Sequence, residues 1–190
     1  YNTALHPTKN RYAVLRVSWA LEIMKKDTFQ NDLAHIYNAY CYCASCIPDD
    51  ELFANGQTVR VGRTLFENQS QALSMRVELG WAFFTRMDAC LETLTHELKI
   101  QSGGTGIRQY LENNGCALSD HEKEGLSVYR EIRNTLHHGD GNPEHLNNPP
   151  KTLAVDSGNE PHLFEEQMHI FYELFKKVGE FLTNASTLTA

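Results

Sequence analysis

Six residues carry the densest chemistry in the chain: Arg133-Asn134-Thr135-Leu136-His137-His138, followed by Gly139. An arginine supplies a planar, permanently charged fork that fits phosphate oxygens. A histidine titrates near neutral pH and serves as general acid or base. Asn134 can orient the imidazole or donate to an oxygen, and His137 and Arg130 stand close enough in sequence to assist. Together these groups suit cleavage of RNA without a metal. The imidazole would activate a ribose 2′-OH, the oxygen would attack the adjacent phosphate, and the arginine would steady the developing charge. A structural explanation is available too, because histidine and arginine near a helix C-terminus favour the dipole and cap the last carbonyls. Geometry adds a constraint: on an ideal helix, positions 133 and 138 lie about 140° apart. Either the helix tightens or stops early, or the two residues meet across a dimer interface.

Other constellations are weaker. Cys41, Cys43 and Cys46, with His35 upstream, offer three thiolates and an imidazole to zinc. They do not share one helical face and lack a second ligand pair, so small apolar packing is the commoner role for such cysteines. The stretch 102–106, SGGTG, lacks the Gly-Lys-Ser/Thr ending of a phosphate loop and reads as a connection between helices. Asp88 and Glu92 are four apart on a helix, either as a solvated face or as a pair that tunes His138. Cys90 and Cys116 have no neighbouring base and read as structural.

The chain has 190 residues, 41% hydrophobic and 22% charged, a globular composition with enough length for a real core. Five cysteines without a signal peptide's apolar stretch read as reduced thiols in a cytoplasmic protein. No apolar run reaches the roughly 18 residues of a membrane helix. A net charge of −7 speaks against a general nucleic-acid coat, so any RNA contact must be local.

Helices must position these groups. Residues 11–26 carry two apolar stripes and read as a largely buried helix. A second helix is expected from a cap at Asn31 or Asp32 to about Cys46, ended by Pro48 and the acidic residues 49–51. Residues 47–66 read as loop, with a short strand pair around QTVRVG. The strongest signal is 69–100, where Leu73, Val77, Gly80, Phe84, Met87, Leu91, Leu94 and Leu98 alternate spacings of four and three. A short helix is expected over IRQYLENN, ended by Gly115. Ser119 and Glu122 form a capping box for a helix with Gly125, Tyr129, Ile132 and Leu136 on its core face. Residues 139–160, rich in Gly, Asn and Pro, read as a long surface loop. A last helix over 161–184 carries Phe164, Met168, Phe171, Phe175, Val178 and Leu182. The expected fold is all-α, an antiparallel helical bundle over 67–190 with an N-terminal helical extension over 1–66.

The motif Arg133-Asn134-x-x-x-His138, at the end of one helix and before a loop and a further long helix, resembles the R-x4-6-H signature of the HEPN superfamily (higher eukaryotes and prokaryotes nucleotide-binding domains). The resemblance covers about residues 67–185 and includes the polar residue after the arginine. It implies a small helical bundle with metal-independent endoribonuclease activity and no cofactor. It also implies a homodimer in which motifs of both chains line one cleft. RNA would be the substrate and an antitoxin or regulator a partner, in toxin–antitoxin or antiviral defence. Arg133 and His138 would then be catalytic, Asn134 supporting, and His137 a variable position. One subfamily, paired with small nucleotidyltransferases, has a Tyr two residues after the His; Asp140 stands there in this chain. The same resemblance admits a catalytically silent module that binds a nucleotide or a partner protein and dimerises.

Overall fold

A computed structural model describes residues 28–101, 104–138, 154–155 and 161–186, with the side chains of 134–138, 154–155, 161–162, 185 and 186 left out. The helix expected over 11–26 lies outside the described residues. The first described helix, α1, covers 28–45. It is already helical at Thr28, three residues before the expected caps, because Phe29 belongs to its core stripe with Leu33, Tyr40 and Ala44. Ahead of Pro48 it closes through 3₁₀-type bonds, Cys46 N to Cys43 O (3.1 Å) and Ile47 N to Ala44 O (3.0 Å).

A 3₁₀ turn, Asp50–Phe53, leads to the expected strand pair, β1 (Val59–Val61) antiparallel to β2 (Thr64–Phe66). Val61 pairs with Thr64, so the loop is Gly62-Arg63, with Gly62 at φ +58°. A glycine at the first loop position matches the twist of a two-residue hairpin. Phe66 joins Ile47, Phe53 and Ala72 in a small satellite core, with Val59 and Val61 packed beside it.

Helix α2, Gln69–Glu97, is capped by the Asn68 side chain, which accepts from Gln71 N at 3.0 Å. Its core face holds from Gly80 through Phe84, Met87, Leu91 and Leu94. In the first two turns the expected seam fails. Leu73 is 39% exposed and Ala72 is buried instead, because the hairpin rather than a helix covers this end. The helix ends in a Schellman turn: Ile100 N donates to Thr95 O (2.9 Å) and Lys99 N to His96 O (3.1 Å), with Lys99 at φ +56°.

Helix α3 spans Gly104–Asn113, so Gly104, Thr105 and Gly106 are helical rather than connecting. The glycines there serve contact: a Cβ on Gly104 would overlap the Leu126 carbonyl of the next helix. Gly115, at φ +80°, closes α3 as expected. Helix α4, Asp120–His138, starts with the capping box. Glu122 N donates to Ser119 Oγ (3.3 Å) and Ser119 N to Glu122 Oε2 (2.8 Å). Ala154–Val155 (β3) pairs with Pro161–His162 (β4), a ladder absent from the expected loop. Helix α5 spans Glu165–Ser186.

The main core joins α1 through α5 and is an all-α helical bundle. At its centre Phe84, Tyr129, Phe171 and Phe175 meet edge to face, with Phe84–Phe171 and Tyr129–Phe175 centroids each 5.0 Å apart. Helix α1 runs antiparallel to α2 and α5. Its start, Phe29, meets Cys90 and Gly179, while its later turns, Tyr37 and Tyr40, meet Tyr172 and Phe83. Helix α1 is therefore part of this core, while Ile47, Phe53 and Phe66 belong to the satellite core. Among the described residues, no helix is long and apolar enough to cross a membrane.

Candidate functional site

The motif lies on the last turns of α4, facing α2. On α4, Tyr129 and Arg133 are four residues apart; on α2, so are Asp88 and Glu92. Residues at this spacing share a helical face, and the two pairs meet across the interface. The Tyr129 hydroxyl donates to Asp88 Oδ1 at 2.5 Å, with both residues buried. Arg133 Nη2 donates to Glu92 Oε1. Arg133 Nε lies 3.9 Å from Asp88 Oδ1, too far for a hydrogen bond, and is a buried nitrogen without a hydrogen-bond partner.

Burial grades this cluster. The Asp88 side chain is 2% exposed, Arg133 19% and Glu92 31%. Asp88 is thus fixed inside, and Glu92 sits at the rim. Burial, then the Asp88 charge and hydrogen bond, push the Tyr129 phenol far above its ordinary pKa. It therefore stays protonated and acts as the donor. Asp88 and Glu92 do not form a solvated face: Asp88 is buried and Glu92 engages the motif arginine. Tyr129 reads in sequence only as a core aromatic. The signal for its second role is the matched four-residue spacing of Asp88/Glu92 and Tyr129/Arg133.

Helix α4 runs without interruption through His138, so it neither tightens nor ends between Arg133 and His138. The side chains of Asn134, His137 and His138 lie outside the described residues. Arg130 is not brought to the Arg133 cluster. It pairs with Glu131 through Nη2 (2.6 Å) and Nε (3.2 Å). With Thr105, Arg108 and Ser127 it lines a cavity of about 360 Å³ between α3 and α4.

The remaining candidates separate. Cys41 and Cys46 are exposed and Cys43 half-buried. His35 instead lines a groove of about 690 Å³ between α1 and α2, with Asp32, Arg86 and Glu97. Among the described residues, no three His, Cys, Asp or Glu side chains are grouped to hold a metal ion. The Cys90 thiol, on the floor of that groove, is pushed up to about 11 by burial and then by Asp32, which suits packing rather than nucleophilic attack. Burial likewise raises Cys116.

No family model, no curated protein and no solved structure matches this chain.

Proposed function

We propose that the protein is a metal-independent endoribonuclease of the HEPN type, with Arg133 and His138 as its catalytic pair and Asn134 in support. The observation that carries this reading is the placement of Arg133. It stands on the final turns of α4, at the edge of the core beside the buried Asp88 of α2, and is still reachable from the rim. An arginine held this way meets a phosphate without first being ordered, which is the preorganisation that charge stabilisation requires.

His138 Nε2 or Nδ1 would take the proton of a ribose 2′-OH. The 2′ oxygen attacks the adjacent phosphorus, the P–O5′ bond breaks, and the leaving 5′ oxygen takes up a proton. The products are a 2′,3′-cyclic phosphate and a 5′-hydroxyl. Arg133 offsets the charge that builds on the equatorial oxygens. The uninterrupted helix keeps Arg133 and His138 about 140° apart within one chain. That favours pairing of Arg133 from one chain with His138 from another, and a homodimer is part of the proposal. A cytoplasmic effector role, with an antitoxin or regulatory partner in defence against phage, belongs to it as well. The test is RNA cleavage in EDTA, which Arg133→Ala and His138→Ala should each abolish.

A second reading has its own observation. Arg133 is already engaged by Glu92 and sits near Asp88, as expected for a silent module that uses α4 only for packing and for binding a nucleotide or a partner. An intact fold with no RNA cleavage by wild type or variants would favour it.

A further inference from the structure

We propose that Glu92 is an internal stand-in for phosphate. It occupies the Arg133 guanidinium in the free protein and leaves when an RNA phosphodiester binds. The inference rests on the reading above, in which Arg133 receives phosphate.

The two carboxylates near Arg133 are not equivalent. Asp88 is buried and tied to the Tyr129 hydroxyl, so it stays in place as a positioning residue. Glu92 lies at the rim, on a longer side chain, and its contact to Arg133 runs through Nη2 alone. Arg133 Nε has no hydrogen-bond partner, so the planar fork is only partly used. A phosphodiester offers two oxygens at the spacing of that fork. One guanidinium between two carboxylates already sits in an excess of negative charge. A further anion can enter only if one carboxylate moves out, and Glu92 is the one with access to water. Partly exposed ion pairs contribute little, so this release is cheap. The exchange makes Glu92 a brake on RNA affinity, in keeping with an acidic protein that should not coat RNA at large.

The experiment uses the full chain in EDTA at fixed salt. Wild type, Glu92→Gln, Glu78→Gln and the double variant Glu92→Gln with Arg133→Ala are compared. Glu78 is exposed on the same helix and controls for the lost charge. A short single-stranded RNA is followed by fluorescence anisotropy, and inorganic pyrophosphate by calorimetry. Glu92→Gln should bind RNA about threefold to fivefold more tightly than wild type, the factor for relieving one partly exposed ion pair in the free state. Glu78→Gln should change little, and the double variant should lose the gain. Affinity for RNA or pyrophosphate no higher in Glu92→Gln than in Glu78→Gln, or a gain that survives Arg133→Ala, overturns the proposal. Should Glu92→Gln misfold by circular dichroism, Glu92→Ala takes its place. The nuclease reading fails separately: cleavage can be absent while Glu92→Gln still gains pyrophosphate through Arg133.

Discussion

At the residue scale, Arg133 is engaged by Glu92 and lies beside the buried Asp88. Tyr129 is fully buried, and its hydroxyl reaches Asp88, itself buried. Tyr129→Phe keeps the ring among Phe84 and Phe175 but removes the donor, leaving Asp88 less well satisfied. The expected loss is about 1–3 kcal/mol of unfolding free energy, read from urea titration. No loss would mean that Asp88 is satisfied without the phenol. The arginine itself was legible in sequence, from its type and its place beside the core face. Its partners were half legible. Asp88 and Glu92 stand out by spacing, but whether such a pair faces water or a neighbouring helix depends on how α2 and α4 cross, and helical periodicity does not encode crossing. His35 and the three cysteines show the converse. Their types suggest a ligand set, yet Cys41 and Cys46 are exposed, Cys43 is half-buried, His35 lines the groove between α1 and α2, and among the described residues no three such side chains are grouped.

At the element scale, local chemistry was the most readable layer. The capping box at Ser119, the Gly115 stop and the Gly62 hairpin are short-range devices whose partners lie within a few residues. They form much as the sequence indicates. Sequence and structure part where a distant element decides the outcome. Leu73 continues the α2 seam in sequence but meets no helix, because the hairpin covers Ala72. Gly104 and Gly106 look like helix breakers, yet they are helical because α3 needs close approach to the Leu126 carbonyl and to Gln101. The end of α2 has no glycine at its left-handed position. Lys99 takes the left-handed position of the Schellman turn, at φ +56°. Lys99→Gly relieves that conformation and should stabilise the protein by about 0.5–1 kcal/mol, read as a raised urea midpoint with an unchanged slope. A lower midpoint would show that the lysine side chain contributes more than its backbone costs.

At the scale of the whole molecule, one core joins the N-terminal helix to the helices that carry the motif. Leu33 on α1 is fully buried among residues of the main core, and Gly179 on α5 lets Phe29 lie directly against that helix. Leu33→Ala should therefore cost about 2–5 kcal/mol and lower the stability of the motif-bearing helices with it. Circular dichroism and the fluorescence of the two tryptophans, Trp19 and Trp81, should report one shared transition. Two separated transitions would mean that residues 28–45 fold apart from the rest. The all-α class was legible because long amphipathic segments leave few other solutions. The integration of α1 was not, because an apolar stripe shows that a helix is buried without showing against what.

The most direct test of the central claim is cleavage of a mixed RNA pool by purified protein in EDTA, beside Arg133→Ala and His138→Ala variants that keep wild-type circular dichroism. The account predicts cleavage by wild type that leaves 2′,3′-cyclic phosphate ends and is lost in both variants. Cleavage that survives either substitution, or RNA left intact by wild type, would contradict it.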